Sequence, residues 1–321
     1  MHNRPTPRVP RKRVRRAKSP KRAQPAKVKA GVELENFTDA DLRTWKRQAE
    51  ALERYYVQLF YHLEGRRALR HGDLCDALRQ SAPASIAVDR WARIVDYKYS
   101  LQPLSAAGSL VRGGRFNIGN DLDPGKYPIF PALYLAADYD TAYAERFGQS
   151  SIASGQLESH EYALRTPGSF TSVNVNGQLH NLFDLRNARN LRKFVKIVSA
   201  FDLPKELRDL AASASIKSPL LVRSAGQLKM SLLAHNWRLY PSQYEIPANP
   251  QVFGRLVVAA GFDGIVYAST KGPKACVALF PTNFSGSESH VELADEAPSG
   301  TTHTKLHQET WREIAGSNSA K

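Results

Sequence analysis

Two arginines lie in surroundings that favour an anionic ligand. Arg93 lies within the apolar run Trp91–Val95, and Arg115 follows two glycines in the segment Gly113–Asn117. A guanidinium among apolar residues is costly to bury without an anionic partner, and its fork of donors matches phosphate oxygens. The glycines would let the backbone approach a ligand closely. The alternative partner is a structural carboxylate. We favour that alternative for Arg93 taken alone, and a ligand such as a diphosphate for Arg115.

A carboxylate and a hydroxyl follow later in the chain, each beside a predicted element. Glu145 falls in a predicted helix over Tyr139–Phe147, and Ser269 follows a predicted strand over Gly264–Tyr267. The plain alternatives are a surface carboxylate paired with Arg146 and a serine that caps a turn. Because no histidine neighbours Ser269 in the sequence, we do not expect this serine to be a nucleophile.

Short apolar runs between Gly, Pro and Asn turns predict the strands that position these residues. The predicted strands are Trp91–Asp96, Arg115–Ile118, Ala132–Leu135, Thr171–Val175, Gly264–Tyr267 and Ala275–Phe280. Apolar spacing typical of helices occurs at Tyr139–Phe147, Leu203–Ala214, Ser218–Ala234 and Gln251–Ala260. This mixture predicts an α+β domain.

The chemistry-bearing residues belong to four segments that occur in a fixed order. In chain order these are Trp91–Val95, Gly113–Asn117, Ala132–Ala136 with Thr141–Glu145, and Gly261–Ser269 with Ala275–Phe280. The ordered set resembles the RES-domain family, whose name records an Arg, a Glu and a Ser, over about residues 88–284. The resemblance implies a mixed β core with flanking helices, similar to ADP-ribosyltransferase toxins. It also implies degradation of NAD+ as a substrate, with no permanently bound cofactor, often as the toxin of a toxin–antitoxin pair.

The resemblance implies catalytic roles for Glu145, Arg115 and Ser269. Glu145 would stabilise the positive charge that develops on the ribose as nicotinamide leaves, or bind the ribose hydroxyls. Ser269 would orient Glu145 or hydrogen-bond the nicotinamide amide or the ribose. The acceptor stays open between inorganic phosphate as a co-substrate, water, and a protein or nucleic-acid group, the last making the protein an ADP-ribosyltransferase.

Five residues are implied NAD+-binding positions. Arg93 and Arg115 would hold the diphosphate, and Tyr134 would stack on nicotinamide or adenine, with core packing as its alternative. Tyr97 is a weaker candidate, and Asn117 has a simple turn role as its alternative. No metal site is expected.

The chain departs from the family pattern between the carboxylate and the serine. The long separation of Glu145 from Ser269 predicts an insertion within about 148–250, which leaves the lid of the pocket and the acceptor site open. Arg146 also stands where an apolar residue is expected.

The flanking segments differ from the domain in composition. Residues 1–30 hold twelve Lys or Arg and no acidic residue, whereas the remaining 291 residues carry 33 basic and 30 acidic side chains. We expect a disordered basic arm. Residues 4–29 would either contact nucleic acid or an anionic surface, or act as a solubilising or address-carrying tail, and we favour the tail. Residues 31–87 are predicted to be a helical extension, and residues 285–321 a polar tail with one short helix.

The extension contains two predicted helices. The first begins at Thr38 and carries apolar residues at alternating spacings of three and four up to Leu63, with Gly65 as its expected end. The second covers Asp73–Gln80.

Several classes of protein are not expected. The longest apolar stretch is too short to span a bilayer, and two cysteines cannot form a disulfide framework or a thiolate metal site. A reducing compartment, the cytoplasm, is the simplest setting; delivery into a target cell stays open. The resemblance implies an antitoxin or immunity protein as partner. The rival from another class is a nucleic-acid-binding protein with an inactive RES-like domain.

Overall fold

The computed structural model describes residues 39–148, 169–216, 221–238 and 243–316. The basic arm and the expected helix cap at Thr38 therefore lie outside the described residues. The chain divides into one unit of residues 1–46 and a second of residues 47–321, and the sheet and the candidate site belong to the second.

Two helices precede the sheet, α1 over Asp39–Leu69 and α2 over His71–Arg79. The expected end of α1 at Gly65 was wrong. A glycine inside a helix costs only about 1 kcal/mol, and an ionic cluster of Glu64 with Arg67 and Arg255 lies across the same turn. Burial alone would raise the pKa of Glu64, but the two arginines lower it below its ordinary value. The cluster ties the last turns of α1 to a helix almost 200 residues later in the chain.

Seven strands and seven further helices follow α2 within the described residues. The strands are β1 Ala84–Asp96, β2 Leu133–Ala136, β3 Phe170–Asp184, β4 Gly264–Ala268, β5 Ala275–Leu279, β6 His290–Leu293 and β7 Lys305–Leu306. The helices are α3 Ala107–Val111, α4 Tyr139–Phe147, α5 Arg192–Val198, α6 Lys205–Ser213, α7 Ala225–Leu232, α8 Asn249–Ala259 and α9 Trp311–Ala315. Single turns of 3-10 helix lie at Tyr97–Tyr99, Ala188–Leu191 and Pro281–Asn283.

The strands pair in the order β1-β2-β5-β4-β3-β6-β7, and β1 also pairs with β3. Five strands are therefore linked in a ring, with β6 and β7 beyond β3. The β3–β4 pair is parallel and all other pairs are antiparallel. This mixed sheet with flanking helices confirms the α+β class.

Alternation along the central strands separates two apolar cores. Leu133 and Leu135 of β2 face one core, while Ala136 faces the other and Tyr134 packs against it. The core that contains Ala136 also includes buried residues of α2, α5, α7 and α8. The ring of Tyr134 is therefore on the helix-covered side of the sheet.

The predicted strand Arg115–Ile118 does not form, which corrects the sequence prediction. Residues 115–118 lie in turns between α3 and β2. Phe116, Asn117 and Ile118 are nevertheless fully buried. The short run that predicted a strand is therefore a buried turn. The predicted strand at Thr171–Val175 is part of the much longer β3.

The segments flanking the central strands also differ from the predictions. Within 148–250, β3 belongs to the sheet, and α5, α6 and α7 occupy the stretch before α8. The predicted helix Ser218–Ala234 corresponds to α7, which is shorter, and residues 217–220 are outside the described part. In the stretch 285–316, predicted as a polar tail, β6 and β7 extend the sheet and α9 buries Ile314. The insertion and domain boundaries remain proposals.

Candidate active site

The register of three neighbouring strands brings Glu145 and Ser269 together. Cys276, near the start of β5, pairs with Ala136 at the end of β2 on one side and with Tyr267 near the end of β4 on the other. The segment after β2, which contains α4, therefore leaves the sheet at the same edge as the loop after β4. Two residues 124 positions apart in sequence meet there.

Helix α4 is fixed at both ends by local interactions. The Asp138 carboxylate accepts a hydrogen bond from the Thr141 N–H at 2.8 Å, which caps the first turn. The helix ends at Gly148, whose φ of 85° is left-handed and suits glycine. Glu145 lies in the last turn and is half-buried.

One oxygen of the Glu145 carboxylate is held by two donors. Its Oε1 accepts hydrogen bonds from Ser269 Oγ at 2.5 Å and from the Thr270 N–H at 3.1 Å. Ser269 Oγ in turn accepts hydrogen bonds from the N–H groups of Lys271 at 3.1 Å and Gly272 at 2.8 Å. Across the described residues, no group donates a hydrogen bond to the other oxygen, Oε2. The carboxylate is thus oriented through one oxygen while the second keeps its lone pairs.

The loop that carries Ser269 packs closely on α4. A Cβ at Gly272 would lie 2.7 Å from Thr141 Cα, so only glycine fits there without displacing the helix. The Ser269 N–H donates to the Lys274 carbonyl at 3.0 Å and closes the loop. Glu145 and Ser269 are therefore positioned by one packed unit of helix and loop.

Arg115 joins this unit to the region before α8. Its side chain is buried, and its Nη1 donates to the carbonyls of Leu232 and Ala234 at 3.2 and 3.0 Å, at the end of α7. Its Nη2 donates to Thr270 Oγ1 at 3.0 Å. Among the described residues, Arg115 forms no ion pair with a carboxylate, the structural alternative that the sequence had left open. Arg115 instead binds backbone carbonyls and the hydroxyl next to Ser269.

The glycines before Arg115 are explained by packing within the protein. A Cβ at Gly114 would lie 2.4 Å from the Tyr134 hydroxyl oxygen. That hydroxyl donates to Asn117 Oδ1 at 2.9 Å and accepts from the Phe116 N–H at 3.0 Å. Burial raises the pKa of Tyr134 above its ordinary value. The close approach that the sequence predicted is made by the Tyr134 ring.

Asn117 organises the turn that carries Arg115. Its Oδ1 also accepts a hydrogen bond from the Gly114 N–H at 2.8 Å, and its Nδ2 donates to the carbonyls of Ser109 and Phe130 at 2.8 and 3.1 Å. The amide is fully buried. These contacts are those of a turn-forming residue, the alternative that the sequence had left open.

Arg93 lies at the other end of Tyr134. Its Nε, Nη1 and Nη2 donate to the carbonyls of Pro103, Tyr134 and Ser105 at 2.7, 3.2 and 2.8 Å. Burial lowers the pKa of this guanidinium to about 10, and the charge of Arg146 adds to that effect. Arg93 thus reaches the candidate site through the backbone of Tyr134.

Tyr97 has no hydrogen bond to these residues in the described structure. Its side chain is 63% exposed on the turn after β1, and its N–H donates to the Ser169 carbonyl. The described contacts therefore give no support to Tyr97 as a site residue.

Comparison of the sequence with models of protein families identifies the family. A family model described as the RES domain matches residues 90–301, about two thirds of the chain. The chain belongs to the RES-domain family. The matched region contains the convergent Arg115, Glu145 and Ser269 and continues beyond the expected boundary at residue 284 through β6.

A solved structure and the curated proteins were compared as well. The crystal structure of the M. tuberculosis MbcT–MbcA toxin–antitoxin complex is similar with a TM-score of 0.40 at 12% identity, over 76% of this chain and 97% of that one. No curated protein is significantly similar in sequence.

The sequence reasoning missed several residues around this RES-domain site. Lys271 lies two positions after Ser269, but a single lysine beside a turn gives no signal of a role in the sequence. Trp237 and Arg238 gave no signal, because nothing in the sequence places the stretch before α8 beside Arg115. The guanidinium carbons of Arg115 and Arg238 lie 5.6 and 5.2 Å from the centre of the Trp237 ring.

A buried thiol also adjoins the RES-domain site. Burial raises the pKa of Cys276 to about 12, and the nearby Glu145 charge acts in the same direction. Cys276 is therefore a neutral packing residue beneath the carboxylate. In the described ranges, no three His, Cys, Asp or Glu residues are arranged to hold a metal ion, and no helix has the length and apolar character of a membrane span.

Proposed function

We propose that this RES-domain protein consumes NAD+ by cleaving the bond between nicotinamide and ribose. The observation that carries the proposal is the Glu145 carboxylate, held through Oε1 by Ser269 and Thr270 with Oε2 uncommitted among the described residues. A fixed carboxylate with one oxygen available suits a reaction in which positive charge develops on a sugar.

The reaction requires little proton transfer. As the bond from the ribose anomeric carbon to the nicotinamide nitrogen breaks, both electrons go to the nitrogen and nicotinamide leaves neutral. The ribose carbon and its ring oxygen share the positive charge, which Glu145 Oε2 stabilises. An acceptor oxygen then forms the new bond to the anomeric carbon: an ionised phosphate oxygen does so without losing a proton, whereas water or a hydroxyl group releases its proton to solvent. Ser269 contributes by holding Glu145 in place before the charge appears.

The remaining site residues position this centre and bind the dinucleotide. Arg115 holds the Thr270 hydroxyl and thereby the loop that fixes Glu145. Tyr134 presents an aromatic ring against the turn of Arg115 and remains the proposed stacking platform for a base. Arg93 and Asn117 hold the two ends of Tyr134, and Tyr97 is the least supported of the binding residues.

Product identification tests the proposal and chooses the acceptor. Purified protein is incubated with NAD+ in the presence and absence of inorganic phosphate. The products are then separated and identified by mass spectrometry. ADP-ribose 1″-phosphate identifies phosphorolysis, and ADP-ribose identifies hydrolysis. Label from NAD+ on a macromolecule identifies an ADP-ribosyltransferase. Intact NAD+ with phosphate, without phosphate, and with labelled NAD+ in a cell extract that supplies macromolecular acceptors would refute the proposal.

The absence of turnover would leave the rival from another class to be tested. A nucleic-acid-binding protein would bind DNA or RNA with an affinity that falls steeply with salt. It would lose that affinity on deletion of residues 1–30 and be indifferent to Glu145→Ala. NAD+ turnover together with loss of activity in Glu145→Ala would exclude this reading.

A neutralising protein partner follows from the proposed activity. An enzyme that destroys a central cofactor has to be restrained in its own host, and family membership supports an antitoxin or immunity protein in that role. Cys75 and Cys276 are buried and form no disulfide. Together with NAD+ as the proposed substrate, these free thiols support action in the cytoplasm. Co-expression with neighbouring gene products, scored by rescue of growth, tests the partner.

A further inference from the structure

One cation beside Glu145 has donors that no described residue uses. The half-buried Lys271 directs its ammonium to the Glu145 backbone carbonyl at 3.3 Å, a long hydrogen bond. Among the described residues this carbonyl is its only hydrogen-bond acceptor, although an ammonium carries three donors. Two of the three therefore remain for a ligand.

The two arginines of the site are committed differently. Arg93 spends three nitrogen donors on carbonyls, and Arg115 uses two nitrogens on two carbonyls and a hydroxyl. Each guanidinium therefore spends three of its five N–H donors on the protein, whereas the Lys271 ammonium spends one of three. Lys271 keeps the larger share of its donors for a ligand, and its ammonium contacts the backbone of Glu145 directly.

The charges around Lys271 favour an anion. Burial lowers the pKa of Lys271; Glu145 opposes that effect and the nearby Arg115 adds to it. An ammonium that is partly withdrawn from water and placed near a second cation gains stability from an added anion. The Glu145 carboxylate supplies part of that compensation, although its Oε1 is already held by Ser269 and Thr270.

We propose that Lys271 binds phosphate oxygens of the reacting ligands beside Glu145. The inference rests on the proposed NAD+ consumption. Two sources carry this chemistry: the diphosphate of NAD+, and inorganic phosphate as the acceptor. The backbone N–H of Lys271 supports Ser269, so the loop that orients Glu145 would also deliver the cation that holds the phosphate.

The alternative is that Lys271 only fastens the loop to the end of α4 through the Glu145 carbonyl. In that case its replacement would lower thermal stability and kcat while leaving ligand affinity unchanged. A phosphate-binding role predicts the reverse pattern, a loss of affinity with the unfolding temperature nearly kept.

The test compares Lys271→Met and Lys271→Arg with the wild type and with Lys126→Met as matched control. Lys126 lies before β2, is 58% exposed, and pairs with a carboxylate, Asp123, at 3.3 Å. Initial rates are measured with NAD+ varied at fixed phosphate, and with phosphate varied at fixed NAD+. Dissociation constants for NAD+ and for inorganic phosphate are measured separately by calorimetry.

We expect Lys271→Met to raise the dissociation constant of one of the two ligands roughly 10- to 100-fold, because a charge-assisted hydrogen bond is lost. A rise in KM confined to NAD+ assigns the diphosphate, and one confined to phosphate assigns the acceptor. Lys271→Arg should recover most of the affinity, and Lys126→Met should match the wild type. If Lys271→Met does not fold, Lys271→Gln serves in the same measurements.

If Lys271→Met, or Lys271→Gln in its place, binds NAD+ and inorganic phosphate as tightly as the wild type does, the proposal is overturned. If the wild type binds NAD+ or phosphate but turns nothing over, the proposed function fails while the Lys271 assignment is still decided by calorimetry. If the wild type binds neither ligand, both fail.

Discussion

The carboxylate half and the arginine half of the site are built in opposite ways. Glu145 is held through one oxygen by Ser269 and Thr270 and keeps the other oxygen available within the described structure. Arg93 and Arg115 instead donate mainly to backbone carbonyls. Under the proposed function, this difference separates chemistry from support: Glu145 would act on the substrate, whereas the arginines fix the loops that position Glu145.

The largest expected effect is on the carboxylate half. Glu145→Gln keeps the shape of the side chain but removes the charge that stabilises the ribose cation, so we expect kcat for NAD+ loss to fall by about 1,000-fold or more. The unfolding temperature should change little. Rates of nicotinamide release, together with growth of cells expressing the protein, measure the effect. Retained turnover in Glu145→Gln would remove Glu145 from the chemistry.

The next effect should affect activity and stability together. Arg115→Met would leave the carbonyls of Leu232 and Ala234 without their buried donor, and we expect it to cost about 2–4 kcal/mol of unfolding free energy. Because the Thr270 hydroxyl loses its partner as well, kcat should fall about 100-fold. Denaturant titration and initial rates measure both.

The control for Arg115→Met is Arg312→Met, an exposed arginine that also lies against a tryptophan. It should alter neither quantity. If Arg115→Met raised the KM for NAD+ with unchanged stability, Arg115 would be a substrate ligand, and the contrast between the two halves would fail.

The elements that carry the carboxylate half could be predicted from the sequence better than the segment that carries Arg115. The helix of Glu145 and the strands around Ser269 were predicted almost to the residue, because apolar period and turn residues are local signals. Arg115–Ile118 was wrongly predicted as a strand. Phe116 is buried by distant contacts, including the backbone of α8, where a Cβ at Gly254 would lie 2.0 Å from the Phe116 carbonyl oxygen.

Candidates such as Arg115, Glu145 and Ser269 could be selected from the sequence, but their partners in the fold could not. The link from Arg115 to the end of α7, and the position of Trp237 beside it, depend on a segment that no local pattern places at the site. The free donors of Lys271 likewise follow from the orientation of its side chain in the folded loop. The sequence shows which chemical groups are present. Which of their hydrogen-bond donors are already used can be seen only in the folded chain.

A smaller effect is expected when only the support of Glu145 is removed. Ser269→Ala deletes one donor to Oε1 but leaves the Thr270 N–H, so we expect kcat to fall about 10-fold with little change in the KM for NAD+. Ser213→Ala removes an exposed hydroxyl on α6 and serves as the control. A loss in Ser269→Ala as large as that in Glu145→Gln would indicate that the serine takes a direct part in the chemistry.

The smallest effect should come from the tyrosine between the two halves. Tyr134→Phe keeps the ring and loses the hydroxyl bonds to Asn117 and Phe116, which should cost about 1–2 kcal/mol of unfolding free energy and change kcat and KM less than threefold. Tyr139→Phe, at an exposed position on α4, should change neither. Tyr134→Ala separates the two roles of the ring, because loss of a stacking surface raises the KM for NAD+ whereas loss of packing lowers stability alone. A KM unchanged in both Tyr134 variants would make the ring purely structural, and the binding surface for the base would then have to be sought elsewhere in the fold.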